Sequence, residues 1–213
     1  MNSSFRNLLI VPLILIGSCS PPDLTNPETL KEAQGEAIPI ETLQRKLMYG
    51  MLQLYVDKND EPFSGWVWTL EKTDGLRTLG FLKQGMKEGH WITWDKNGMK
   101  CSEVGWHKDY HEGVFNEWHP NGKVKSIGQT TDGEVDGEWL SYYSSGQLAS
   151  RSLNKIGHLQ SIEVWQPNGK QCPETHVENG DGTLLMYYEN GTIKLRRCFK
   201  QGIEISRKSF NQR

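Results

Sequence analysis

The chain of 213 residues is long enough for one ordinary domain and gives no reason to expect a second large core. Lys and Arg number 24 against 26 Asp and Glu, and no block of like charge stands out, which excludes the usual electrostatic pattern of a nucleic-acid-binding protein. Hydrophobic residues make up only 36% of the chain, yet it holds 8 Trp, 7 Tyr and 6 Phe, so the core must rely on aromatic side chains.

The N-terminal residues predict a secretory signal. An apolar run from Leu8 to Ile16 precedes the small residues Gly17 and Ser18, and it is far shorter than the roughly 20 residues of a spanning helix. The stretch IGSC resembles the bacterial lipobox, which implies removal of residues 1–18 and a lipid anchor on Cys19. Serine directly after this cysteine favours the outer membrane if the organism is Gram-negative. The alternative is an ordinary signal peptide with Cys19 incidental.

A polar segment follows the signal. Residues 20–45 are rich in Pro, Glu and Thr and show no sustained apolar period. This composition predicts a flexible tether over residues 19–46, in which a short helix around residues 28–37 is the one candidate element. Residues 47–213 are assigned to a single folded domain.

That domain is built from a repeat. One glycine recurs every 22 to 24 residues, at Gly75, Gly98, Gly122, Gly146, Gly169 and Gly191. An earlier glycine shares the register at Gly65, Gly89, Gly113, Gly137 and Gly182, with Gln160 in its place in the fifth unit. An apolar residue stands two positions after this first glycine and usually an aromatic residue five positions after it. Asn-Gly, Asp-Gly and Ser-Gly favour tight turns, so each unit is predicted to be one β-hairpin.

The repeat resembles a known family. The stretches EGHWITWDKNG, EGVFNEWHPNG, DGEWLSYYSSG and YYENG are similar to the MORN repeat variant, in the form found in YwqK-type antitoxins. The similarity covers roughly residues 54–202 in six units, with Gln160, Leu70 and Leu184 as departures. It implies an all-β fold, an elongated single-layer antiparallel sheet of consecutive hairpins. It does not imply a catalytic centre.

Two aromatic stripes follow from the repeat. The two-position and five-position residues have opposite parity, so either both faces of the sheet carry aromatic rings or a bulge brings the stripes together. The rings are either stacked core or the lining of an open binding groove. We favour the five-position stripe as the candidate partner-binding surface because it stays aromatic in five successive units. Its residues are Trp94, Trp118, Tyr142, Trp165 and Tyr187.

The sequence offers little reaction chemistry. His107 and His111 stand four residues apart, but in an inter-hairpin loop, so we predict no metal site. No nucleophile motif or phosphate loop is present, and we predict neither a cofactor nor an enzyme. Cys101, Cys172 and Cys198 lie in different parts of the repeat array, so we predict three free thiols.

These observations predict a non-catalytic, lipid-anchored protein of the cell envelope. Its aromatic sheet is expected to bind a protein or a glycan, because exposed Trp and Tyr concentrate binding energy and stack on sugar rings. The alternative is an antitoxin or immunity-type protein that sequesters a cognate toxin in the envelope. An antitoxin confined to the cytoplasm does not fit the predicted export signal.

Overall fold

A computed structural model describes residues 22–48, 50 and 52–211. The predicted signal peptide, residues 1–18, and Cys19 lie outside these residues. The described chain is an open antiparallel sheet with one short helix, as the repeat predicts. No helix in this part of the chain is long and apolar enough to cross a membrane.

The elements follow one another along the chain and mostly pair with their sequence neighbours. A single-turn 3-10 helix spans Ile40–Thr42. The other bounds are α1 Pro27–Glu36, β1 Ile38–Pro39, β2 Gln44–Met48, β3 Leu52–Val56, β4 Gly65–Leu70, β5 Arg77–Lys83, β6 Met86–Trp94, β7 Lys100–His107, β8 Tyr110–Trp118, β9 Val124–Thr131, β10 Glu134–Val135, β11 Gly137–Tyr142, β12 Leu148–Lys155, β13 His158–Val164, β14 His176–Glu178, β15 Asp181–Tyr187, β16 Ile193–Lys200 and β17 Ile203–Ser209.

The large sheet runs from β1 through β4 to β17, while β2 and β3 form a separate hairpin. Each repeat supplies one hairpin, from β4–β5 to β15–β16, which confirms the predicted array of six units. The fifth hairpin is irregular, because its return strand is reduced to one bridge between Trp165 and Gln171 and the short β14.

The segment predicted as a tether is folded where the structure describes it. Helix α1 is capped by Asn26, whose side chain accepts the backbone N–H of Glu28 and Thr29. Leu24 and Ala33 are fully buried against the first hairpins, and β1 pairs in parallel with β4. The short helix expected around residues 28–37 is present as α1, and a few apolar side chains without a visible period suffice to dock it on the sheet.

The turns between hairpins have a backbone conformation whose twist matches that of the strands on either side. Their first residues, Gln84, Lys108, Asp132, Ile156, Asn179 and Gln201, all have φ between +46° and +51°. The next residue also has positive φ, as in type I′ turns, whose twist matches that of the flanking strands. The repeat glycines at the opposite end of the hairpins stand at φ near +80° after a type I turn.

In five of the six units, a side chain at the start of the hairpin fixes the turn that leads out of that hairpin. The residue before the first repeat glycine accepts the backbone N–H of the residue 20 positions later, which opens the next type I′ turn. The pairs are Ser64 with Gln84, Glu88 with Lys108, Glu112 with Asp132, Asp136 with Ile156 and Asp181 with Gln201, at 2.6 to 3.1 Å. A carboxylate that accepts a backbone N–H makes a stronger bond than a neutral acceptor, so these contacts set the spacing of the hairpins.

The hydrogen bond that the Asp132 N–H donates to Glu112 is open to a direct test. We expect Glu112→Ala to lower the free energy of unfolding by about 1 kcal/mol, the usual contribution of one such hydrogen bond, and Glu112→Gln to recover part of it. Urea unfolding measures the difference. Glu138→Ala is the control, because Glu138 only pairs with Arg151 at the surface, and such pairs contribute about 0.5 kcal/mol. Equal losses in Glu112→Ala and the control would contradict this role.

Candidate binding surface

The two aromatic stripes lie on opposite faces of the sheet. Trp94 packs with Ile92 and Leu79 against α1, on what we call the helix face. Trp91 packs with Val67 and Leu82 on the other side, the Trp91 face. Strand alternation extends this division along β8 and β11, so Trp118 and Tyr142 belong to the helix face while Phe115 and Trp139 belong to the Trp91 face. Of the two arrangements that the sequence leaves open, the one with rings on both faces is observed.

The predicted binding residues are all half-buried. Trp94, Trp118, Tyr142, Trp165 and Tyr187 form what we call the aromatic row, and each keeps part of its ring in contact with solvent. Leu70, which takes the aromatic position in the first unit, is exposed at the start of the same series. The row is neither a sealed core nor a fully exposed strip.

Rings on the Trp91 face have a clear packing role. A Cβ atom placed on Gly80 would lie 2.0 Å from the ring of Trp91, and one on Gly128 would lie 2.1 Å from the ring of Trp139. Each indole therefore lies flat over a glycine of the preceding strand. Phe115 continues this stack, with its ring centroid 4.8 Å from that of Trp139. The two-position stripe is thus a packed layer that covers the small residues of its own sheet.

The helix face opens into a cleft beside α1. The cleft has a volume of about 760 Å³ and is floored by Trp68, Leu79 and Trp94. Arg77, Asp95 and Lys96 stand at its rim with Gln34 from the end of α1. Trp94 therefore links this concave site to the rest of the aromatic row.

Charged groups accompany the row. The Lys100 Nζ lies 4.8 Å from the centroid of the Trp118 ring and 2.6 Å from a carboxylate oxygen of Glu103. Glu103 is buried and also contacts His90 Nδ1 at 2.9 Å. Burial by itself raises the pKa of Glu103, but the hydrogen bonds from Lys100 and His90 outweigh it and leave this pKa below its usual value. Glu103 therefore remains ionised and holds Lys100 beside Trp118.

Side chains at the strand ends tie neighbouring units together under the row. The Tyr143 hydroxyl donates a hydrogen bond to the Trp165 carbonyl at 2.7 Å, and the Tyr188 hydroxyl donates one to the Phe210 carbonyl at 2.8 Å. His119 Nε2 makes the corresponding contact to the Tyr142 carbonyl at 2.9 Å. The carbonyls of two members of the row are thereby fixed by the preceding hairpin.

Tyr187 differs from the other four members. Its hydroxyl lies 3.0 Å from Cys172 Sγ, and both residues belong to the C-terminal core cluster. Burial and this contact raise the pKa of Tyr187 to about 12. Within the described chain Cys101, Cys172 and Cys198 form no disulfide, as their positions in the repeat predict.

The histidines that resemble a metal cluster have separate roles. His107 Nδ1 contacts Glu88 at 3.1 Å, whereas His111 packs edge to face on Trp106 with the ring centroids 4.1 Å apart. Among the residues the structure describes, no group of three or more His, Cys, Asp or Glu side chains is placed to hold a metal ion.

Sequence analysis did not identify the acidic residue before each first glycine as functional. The sequence does contain a signal for this role, because an acidic residue stands directly before the first glycine of four repeats. These residues are Glu88, Glu112, Asp136 and Asp181. The backbone N–H that it accepts lies 20 residues further on, in the turn at the end of the same hairpin.

Comparison with known families identifies the repeat in three of the hairpins. The profile of the MORN repeat variant matches residues 112–132, 135–153 and 180–201, which are the third, fourth and sixth hairpins. The predicted similarity to MORN-variant repeats is thus confirmed for these three segments. None of the curated proteins compared with the chain matches it. The similarity to YwqK-type antitoxins stays a prediction.

The Tyr143 contact can be tested by Tyr143→Phe. We expect this change to lower the free energy of unfolding by about 1 kcal/mol, because it removes the hydrogen bond from the buried hydroxyl to the Trp165 carbonyl. Burial, with a contribution from Glu189, raises the pKa of Tyr143 from 10.0 to about 12. The stabilising contribution of the protonated hydroxyl is therefore complete below pH 10 and is lost as the pH rises towards 12. Urea unfolding of the wild type and of Tyr143→Phe between pH 10 and 12 measures the effect. The difference between their free energies of unfolding should shrink as the pH rises, and a constant difference would contradict this prediction.

Proposed function

We propose that this chain is a non-catalytic binding protein of the cell envelope, anchored through Cys19, which engages a partner protein with the helix face of its hairpin array. The observation that carries the proposal is the aromatic row, half-buried along an open sheet. A glycan is the alternative ligand of the same surface.

The helix face has the composition of a binding surface. Trp and Tyr lead the residues that contribute most to protein–protein affinity, and their half-buried rings lose little side-chain entropy on binding. Polar groups at the cleft rim and beside Trp118 would fix the orientation of a partner. Ile127 and Leu153, which alternate onto the same face in β9 and β12, add exposed apolar surface between the rings.

The unit spacing also supports binding to an extended partner. The carboxylate contacts to the turns and the tyrosine contacts to the carbonyls fix successive rings relative to one another before a partner arrives. A preorganised surface of this kind lowers the entropic cost of binding.

The immunity alternative specifies a toxin as the partner of this surface. The match to the MORN repeat variant and the predicted export signal support it, since an anchored protein would meet a toxin in the envelope. A toxin-like gene beside this one, together with protection that requires Cys19, would favour this alternative.

The two faces provide a matched test of the binding surface. The chain from Ser20 onward, which keeps α1, is compared with Trp118→Ala/Tyr142→Ala on the helix face and Phe115→Ala/Trp139→Ala on the Trp91 face. Both double variants remove two half-buried rings from β8 and β11. We expect a protein captured from solubilised envelope extract to bind the helix-face variant at least about tenfold more weakly, since hot-spot rings each contribute more than about 1 kcal/mol.

Circular dichroism controls for folding, and the affinity for the captured protein is then measured with purified components. Loss of binding in the Trp91-face variant alone would overturn the proposal. Retention of a purified envelope glycan, with no protein retained, would replace the protein partner by the glycan.

The anchor has its own test. We expect Cys19→Ser to move the chain from the membrane fraction to the soluble fraction, because the thiol that accepts the lipid is gone while the folded domain, which starts at Leu24, is unchanged. Fractionation with detection of the lipidated N-terminus by mass spectrometry measures this. An unchanged membrane fraction would contradict lipid anchoring at Cys19.

A further inference from the structure

The sheet ends in an open edge at its C-terminal side. Strand β17 pairs with β16 on one side and, among the described residues, with no strand on the other. Its seven residues include no proline, and Ile203 and Ile205 are 54% and 62% exposed. The register with β16 shifts between Glu204 and Ser206, so β17 carries a β-bulge at Ile205. Proteins usually block an edge with a proline, a bulge or a covering element, and the described residues provide only the bulge.

The N-terminal end of the same sheet is closed in that way. Strand β1 pairs in parallel with the middle of β4 and brings Pro39, which has no N–H to donate, to this edge. Helix α1 covers the adjacent face. The two ends of the array therefore differ, and β17 is the end that stays available for strand pairing.

The open edge is strongly basic. Between Thr192 and Asn211 the chain carries a single carboxylate, Glu204, against the cations Lys194, Arg196, Arg197, Lys200, Arg207 and Lys208. This concentration contrasts with the net charge of −2 of the whole chain. Strand pairing brings the cations together.

Register places like charges directly opposite each other. Arg196 stands opposite Lys208, and Arg197 stands opposite Arg207. Glu204 bridges the second pair, since it contacts both arginines. In the part of the chain that the structure describes, Arg196 and Lys208 form no ion pair. Like charges opposite each other in a sheet are destabilising, so this pair favours an incoming carboxylate.

We propose that the outer edge of β17 binds an extended acidic segment of a partner protein, which adds to the sheet as a further strand. The free N–H and C=O groups of β17 supply main-chain hydrogen bonds, and the cations of the last hairpin supply charge complementarity. This site is separate from the aromatic row and does not depend on the proposed function.

Two other occupants fit the edge less well. A second copy paired through the same edge would bring two basic hairpins against each other, and the N-terminal end of a second copy is closed by β1. A lipid bilayer would attract the cations but would leave the N–H and C=O groups of the open edge without partners in its apolar region.

The test uses a short synthetic peptide that alternates glutamate with valine and threonine, labelled for fluorescence anisotropy, and the chain from Ser20 onward. We expect saturable binding that weakens with added salt, and protection from hydrogen exchange for the β17 amides that point away from β16. Arg196→Glu/Lys208→Glu should weaken binding about tenfold, which is about 1.4 kcal/mol. Circular dichroism must show that this variant is folded, because two glutamates opposite each other repel as the two cations do.

Three controls test the position of the cations, the peptide backbone and the peptide charge. Lys83→Glu/Lys155→Glu changes two exposed cations elsewhere in the array and should leave binding unchanged. A backbone N-methylated version of the acidic peptide should bind weakly, and equal binding would show that charge alone is recognised and would overturn strand addition. A peptide with lysine in place of glutamate should not bind.

Two further outcomes would overturn the proposal in favour of another occupant. Sedimentation equilibrium that shows a dimer of the wild type, lost in Arg196→Glu/Lys208→Glu, would assign the edge to a second copy. Binding to phosphatidylglycerol vesicles without binding to the acidic peptide would assign it to a membrane surface.

Discussion

The array depends on one recurring contact, the hydrogen bond that a turn N–H donates to the side chain standing before the first repeat glycine, 20 residues earlier. An open sheet of one layer has no second sheet to fix its strands, so each hairpin must be fixed by its neighbours. The acceptor reaches across the end of the sheet and holds a backbone N–H that the tight turn leaves unpaired. The fifth unit has Leu159 and Gln160 at the corresponding positions and is the one whose return strand is broken.

Once the hairpins have a fixed spacing, the same aromatic residue types acquire different roles on the two faces. Rings of the Trp91 face lie over Gly80 and Gly128, so they close their own layer. Rings of the helix face stay half-buried beside groups such as Lys100. Phe115 and Trp139 are also half-buried, so the glycines under Trp91 and Trp139, and not the degree of burial, are what marks the packing rings.

The two ends of the array differ in how they are covered. Trp91 and Ile92 are almost completely buried because the segment before the repeats covers both faces of the first hairpins. No equivalent element covers β17 in the described chain. A repeat array capped at one end only offers a lateral surface along its length and a strand edge at its terminus, and the two can serve different partners.

The sequence by itself determined the repeat, its hairpins and the positions of the five aromatic residues, because local rules govern them: Asn-Gly and Asp-Gly favour tight turns, and a constant interval repeats them. It also determined that Cys101, Cys172 and Cys198 would not meet, since equivalent positions in separate hairpins are far apart. It could not show that Leu24 and Ala33 would dock a helix, because a short segment with few apolar residues has no period to detect. Only the tertiary structure decided which face each ring joins, which N–H each carboxylate accepts and where the cations of β16 and β17 converge, since these depend on pairing between residues distant in the chain.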